Sequence, residues 1–173
     1  MAVPRAGRGV PLHAEPIRMA KARDSIRMSE AEIADFLAGA HALQVATLNR
    51  DGSPHLTTVW FVQHAGRILF ETYGKSQKVM NLRRDPRIAV LAEEGRAYGE
   101  LRGVSINGRA AIIDAEPELA KMMSLLLDHH FPGLPPDELA AMTARMARKR
   151  IVVAVETEKV MSWDHRKLGG VGP

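Results

Sequence analysis

From Ala42 onward, apolar and polar residues alternate with a period of two, the signature of half-buried strands. Ala42 to Leu48 reads as a strand, Asn49-Arg50-Asp51-Gly52 as a hairpin turn, and His55 to Gln63 as the returning strand, with Pro54 tolerated at its start. A second turn at Ala65-Gly66 leads into a strand over Ile68 to Thr72. Arg87 to Glu93, Tyr98 to Asn107 and Arg109 to Asp114 are also strand-like, with Asn107-Gly108 read as another tight turn. One short helix, Ser76 to Arg84, interrupts the series and is stopped by Asp85-Pro86.

Helical spacing frames these strands. Ser29-Glu30-Ala31-Glu32 has the spacing of a capping box, and Ile33, Phe36, Leu37 and Ala40 follow at helical intervals, which predicts a helix over 30–40 across one barrel end. Near Glu116-Pro117 a second helix begins that carries Leu119, Met122, Met123 and Leu126. After Pro-Gly-Leu-Pro-Pro, a third runs from Asp137 with Leu139, Met142 and Met146 on its core stripe. A last strand, Arg150 to Thr157, returns the chain to the sheet, and Trp163 to Pro173 reads as a Gly-rich tail. Many short antiparallel strands with few edges left over predict a mainly β protein, a six-stranded antiparallel split β-barrel with peripheral α-helices. Two regions follow: residues 1–28, rich in Pro, Gly and Arg, as a disordered basic tail, and residues 29–173 as the folded domain. Met19 and Met28 each offer a later start.

Composition narrows the chemistry. The chain of 173 residues contains no cysteine, which removes disulfides, thiolate metal sites and thiol nucleophiles and leaves any redox role to a bound cofactor. No apolar stretch approaches the roughly 20 residues of a spanning helix, and the basic N-terminus lacks the apolar core of a secretory signal, so a cytoplasmic protein without a membrane partner is expected. The net charge of +4 sits in residues 1–28, where six basic residues face two acidic ones; the remainder holds 18 of each. A nucleic-acid-binding domain carries its basic excess on the fold, so nucleic acid is not the expected partner.

Gly7-Arg8-Gly9 and Gly169-Gly170-Val171-Gly172 lack the strand and helix that a nucleotide fingerprint requires, and no serine sits in a nucleophile elbow. The seven histidines show no ligand spacing, and the adjacent His129 and His130 point to different helix faces, so no metal site is expected. Lys75-Ser76-Gln77-Lys78 carries more information. A serine at a helix start, flanked by lysines and free backbone N–H groups, makes a small anion site suited to a phosphate, although the same residues also describe an exposed basic helix capped by Ser76.

Val45-Ala46-Thr47-Leu48, Asp51-Gly52-Ser53-Pro54-His55, Thr57-Thr58-Val59-Trp60-Phe61, Lys75-Ser76-x-Lys78 and Asn81-Leu82-Arg83-Arg84-Asp85-Pro86 follow one another in an order that resembles the flavin-binding split barrel of pyridoxamine 5'-phosphate oxidase-like proteins. Val160 to Leu168 resembles the C-terminal segment of the deazaflavin-using branch. The resemblance implies a homodimer with a planar cofactor ring between subunits. Thr58, Val59 and Trp60 would lie along the ring; Thr72, Lys75, Ser76, Lys78 and Asn81 would hold the phosphate; Trp163 and Arg166 would reach the partner's cofactor, or else serve dimer packing. It also implies an oxidoreductase that transfers hydride between a flavin-type cofactor and a small electrophilic or conjugated substrate, with no residue required as a general acid. The cofactor is coenzyme F-420 or FMN. An abundance of Ala and an excess of arginine over lysine, 17 to 7, suit a GC-rich genome of the kind common among F-420-making actinobacteria and favour F-420. The alternative from another class is a non-catalytic flavin, F-420 or haem carrier or sensor on the same barrel.

Overall fold

The computed structural model describes residues 23–169. Residues 1–22 of the segment assigned to the basic tail, and residues 170–173, lie outside the described residues. The elements in chain order are α1 (Glu30–Gly39), β1 (Ala42–Leu48), β2 (Pro54–Trp60), β3 (Val62–His64), β4 (Arg67–Tyr73), α2 (Gln77–Arg84), β5 (Arg87–Glu94), β6 (Arg102–Ile113), α3 (Glu118–His130), α4 (Pro136–Ala147) and β7 (Arg150–Asp164), with single 3-10 turns at Tyr98–Glu100 and His165–Leu168. Ser29 and Glu32 form the reciprocal capping box that starts α1. The β1–β2 turn closes with Gly52 at positive φ, and Ala65 and Gly66 both adopt positive φ, as a two-residue hairpin between twisted strands requires.

All seven strands join one antiparallel sheet in the order β2-β1-β5-β6-β7-β4-β3. The two edge strands are successive in the chain, separated only by Phe61. The single return strand expected over His55 to Gln63 is therefore broken, and its halves form the two ends of the curled sheet: a split barrel. Phe61 sits in the barrel core, where Leu43, Val45, Phe70, Val90, Val104 and Val153 meet Phe36 and Leu37 of α1 and Val79 and Leu82 of α2. Outside the barrel, α3 and α4 cover Val62, Leu69, Val152 and Ala154 with Leu119, Met122, Met123, Leu126 and Leu127, and Met142 and Met146 pack against this second core.

Four further expectations are corrected. Asn107-Gly108 is not a turn, because β6 runs straight through it; Glu158 is the extra residue of a bulge on β7 opposite this pair. A Cβ on Gly108 would lie 2.1 Å from the Glu156 carbonyl oxygen, so glycine there admits the bulged strand instead of reversing the chain. Tyr98–Glu100 precedes β6 as a 3-10 turn, and β7 continues past Thr157 to Asp164, which takes Trp163 out of the tail and into the sheet. Finally, the end of the N-terminal segment belongs to the fold. Met28 is buried in the barrel core and donates its N–H to the Ser162 hydroxyl, while Asp164 N–H reaches the Ile26 carbonyl. Among the described residues no helix is long and apolar enough to cross a membrane.

Candidate functional site

Helix α2 lies where β4 ends and β1 turns into β2, and its polar face divides into two networks. In the first, Lys78 Nζ donates to Thr72 Oγ1 at 3.1 Å, and Thr72 Oγ1 and Ser76 Oγ stand 3.5 Å apart. Ser76 occupies the N-cap position, but its hydroxyl does not cap the helix, so it is left for this cluster. Thr72 is buried, Lys78 half-buried, and Lys78 has no ion-pair partner among the described residues. Burial holds its ammonium below the ordinary lysine range; Glu71 opposes that shift and Arg150 adds to it. A desolvated cation with one neutral hydroxyl partner, Thr72, and a second hydroxyl beside it, Ser76, matches the oxygens of a phosphate, so the residues present fit the anionic end of a flavin-type cofactor.

The second network is a tie between elements. Asn81 is fully buried, and its amide donates to Thr47 Oγ1 at 3.1 Å and Asn49 Oδ1 at 3.0 Å while its oxygen accepts from Gln77 and Arg84. Both amide protons are thereby engaged, so Asn81 fastens α2 to β1 instead of facing the Thr72 cluster. Arg84 also donates to the Leu48 carbonyl. Thr47 and Asn49 were not singled out from the sequence, because they stand 34 and 32 positions away from Asn81.

Lys75 is exposed and faces a different cavity, lined also by Tyr73, Gly74, Arg148, Lys149 and Arg150; Arg145 lines an adjoining one. Lys75, Arg145, Arg148 and Lys149 have no ion-pair partner among the described residues, whereas Arg150 pairs with Glu71 and lies 4.2 Å over the Tyr73 ring.

On β2 the alternation separates the three residues expected along a ring. Thr58 and Trp60 are exposed on the outer face, and Val59 packs inward against the barrel core, so only its main chain faces the same side as theirs. The outer face also carries Leu56 and Met161, both exposed, and Gln44, whose Oε1 is buried without a partner. Trp163 shares the outer face with Met161, two residues further along β7 and several strands away from Trp60, and Arg166 follows the end of that strand. Trp163 sits opposite Gly103 in the β6–β7 ladder with its ring over that glycine, and the Arg166 guanidinium is held by both oxygens of buried Asp164. That hydrogen bond is the main reason the Asp164 carboxyl titrates below its usual range. Thr72 pairs with Ile151 at the start of β7 and Trp163 stands near its end, about 40 Å further along the strand at roughly 3.3 Å per residue. Among the described residues no three His, Asp or Glu side chains converge as a metal site.

A curled antiparallel sheet split between consecutive edge strands, with a helix-start cluster of hydroxyls and lysine at the end of β4, defines a protein of the split β-barrel class. The chain belongs to the pyridoxamine 5'-phosphate oxidase family, whose model matches residues 29–164. Among solved structures, a conserved hypothetical protein of Mycobacterium tuberculosis is 42% identical with a TM-score of 0.79, covering 87% of this chain and 96% of its own. A haem storage protein of Vibrio cholerae (16% identical, TM-score 0.61, covering 76% and 92%) and an F420 reductase (22% identical, TM-score 0.54, covering 73% and 93%) share the fold. No curated protein matches the sequence.

Proposed function

We propose that the chain is an oxidoreductase that binds a flavin-type cofactor, F-420 or FMN, and transfers hydride between it and a small electrophilic or conjugated substrate in the cytoplasm. The observation that carries this reading is the Lys78 ammonium, half-buried beside Thr72 and Ser76 with no ion-pair partner among the described residues. A protein that keeps such a cation desolvated forgoes its hydration, and a bound phosphate offsets that cost with charge-assisted hydrogen bonds. When bound, the cofactor supplies the redox chemistry. The chain's own residues do the rest: Lys78, Thr72 and Ser76 hold the anionic end, Asn81 locks α2 at the distance that aims Lys78, and Thr58 and Trp60 present a face for a planar ring. Family membership and the fold shared with an F420 reductase and with a FAD-binding protein of Mesorhizobium loti support the same reading.

Between the two cofactors, the unpaired Lys75, Arg148 and Lys149 beyond Tyr73 favour F-420, whose polyglutamate tail extends past its phosphate; FMN needs only the compact cluster. A second copy of the chain completes the site in this reading. Leu56, Trp60 and Met161 leave the outer face of the sheet apolar and exposed, the Gln44 oxygen there lacks a donor, and Trp163 lies too far along β7 to meet Thr72 within one copy.

Titration with FMN and with F-420, followed by ring fluorescence, tests the proposal. Binding tighter than about 100 μM, or about −5.5 kcal/mol, is expected for at least one of them, and failure of both refutes it. Reoxidation of the reduced cofactor by an added quinone then separates enzyme from carrier: a carrier binds without accelerating it.

A further inference from the structure

At the split in the sheet three successive residues go to three environments. Phe61 turns into the barrel core at 1% exposure, Val62 enters the second core beneath α3 at 3%, and Trp60 remains 58% exposed on the outer face. Because Val62 is held against α3, the last turn of that helix lies over the end of β2. His130 brings its imidazole to 5.3 Å from the Trp60 indole, ring centre to ring centre, at a tilt of 43°; Phe131, the residue that caps α3, stands at 6.4 Å. His129 meets His130 edge-on at 5.2 Å. His130 Nε2 is covered and has no hydrogen-bond partner among the described residues. Burial, with His129 and His41 adding to it, holds the imidazole below the ordinary histidine value, so near neutral pH it packs as an uncharged ring.

An exposed indole at the end of an edge strand has two side-chain torsions, and His130 and Phe131 are its aromatic contacts among the described residues. Tilted aromatic contacts of this spacing are favourable and orientation-dependent. From this geometry we infer that His130 is a positioning residue that fixes the Trp60 indole as the wall for a planar, uncharged ring. The inference rests on the reading that Trp60 lies beside the cofactor ring. It divides the work between two helices: the start of α2 takes the anionic end, and the end of α3 sets the ring side, where Trp60, Phe131 and neutral His130 present no fixed charge.

The test uses the full chain labelled with 5-fluorotryptophan. Its two tryptophans give two fluorine resonances, Trp60 being assigned by Trp60→Phe. In the free protein His130→Ala should shift the Trp60 resonance and leave that of Trp163 in place. With FMN or F-420 bound, the quenching of ring fluorescence by the indole should be lost in the same variant. His130→Phe, which keeps a ring at the position, should restore both signals; His130→Leu carries the test if the alanine variant does not fold. Should neither cofactor move the Trp60 resonance of the unsubstituted chain, the ring-side reading fails and the inference falls with it. If a cofactor does move it, and His130→Ala leaves resonance and quenching as they were, the inference alone is overturned.

Discussion

Replacing Lys78 by alanine separates its role in binding from any role in folding. In the free protein the ammonium has one neutral partner, the Thr72 hydroxyl, and sits partly out of water, so it contributes little to stability. Toward a bound anion it would make a charge-assisted hydrogen bond worth about 1.5 to 3 kcal/mol, so Lys78→Ala should weaken cofactor affinity roughly 10- to 150-fold. Lys75 is the internal control. It is exposed, and an exposed ion pair contributes about 0 to 1 kcal/mol, so Lys75→Ala should cost about fivefold at most. The pH dependence has a definite sign. Because the folded state lowers the Lys78 pKa, it binds fewer protons there than the unfolded chain, and stability should rise as pH climbs from the folded pKa toward the unfolded value near 10.4. Anion binding favours the charged amine, so affinity should fall over the same interval. Fluorescence titrations and thermal melts between pH 7 and 10.5 measure both, and Lys78→Ala should flatten both slopes. Unchanged affinity in Lys78→Ala, with Lys75→Ala weaker, would refute the assignment of the anion to the Thr72 cluster.

Asn81→Ala should act on the fold. It strands the buried Thr47 hydroxyl and the half-buried Asn49 carbonyl, and orphaned buried groups cost about 1 to 3 kcal/mol each before relaxation, so a net loss of about 2 to 4 kcal/mol and a melting point lower by about 5 to 15 °C are expected by calorimetry. Gly108→Ala forces a methyl onto the Glu156 carbonyl, a backbone atom that cannot swing aside, and should destabilise by about 1 to 3 kcal/mol in denaturant unfolding; Gly39→Ala, where the added methyl meets nothing within 4 Å, should be neutral or stabilising. A chain beginning at residue 29 should melt below one beginning at residue 23, because it loses the buried Met28 side chain and the main-chain bonds of Ile26 and Met28, together about 3 kcal/mol; equal melting points would remove this segment from the core.

Local chemistry dictated the features that local chemistry also decides in the structure. The capping box at Ser29, the Asp51-Gly52 turn, the Ala65-Gly66 turn and the α2 stop at Asp85-Pro86 each depend on residues within four positions of one another, and each appears as expected. The break at Phe61 does not. Val59-Trp60-Phe61-Val62 is uniformly apolar, so periodicity cannot say which side chain enters which core; the competition between barrel and α3 decides it. At Asn107-Gly108 a good turn dipeptide is overridden by its partner strand, since the twelve residues of β6 pair continuously and β7 absorbs the mismatch at Glu158. Similarly, the polar run Glu156 to Lys159 reads as a strand end, yet it faces β6 and continues. The site divides the same way. Ser76 and Lys78 were legible because they share one helix start, whereas Thr47, Asn49 and His130 join through contacts more than 30 positions apart or between separate elements.

Charge placement shows why the balance of the chain misleads about its chemistry. Outside the first 28 residues acidic and basic side chains are equal in number, which reads as an uncommitted surface. In the fold, buried or half-buried carboxylates are spent on structural pairs: Asp164 holds Arg102 and Arg166, Glu71 holds Arg150, Glu32 holds Lys167. Around the junction of β4 with α2 and α4, Lys75, Arg145, Arg148 and Lys149 have no ion-pair partner among the described residues and make a locally positive cleft, and Lys78, likewise unpaired among them, stands in the separate Thr72 cluster. Of these five, only Lys78 is drawn out of water. Exposed cations attract an anion over a distance set by the ionic strength, about 10 Å at 0.1 M salt, whereas the desolvated one acts at contact and is screened far less. Under the proposed function the exposed cations would attract a negatively charged ligand and Lys78, in the neighbouring Thr72 cluster, would fix its anionic end, an arrangement that net charge and periodicity alone do not reveal.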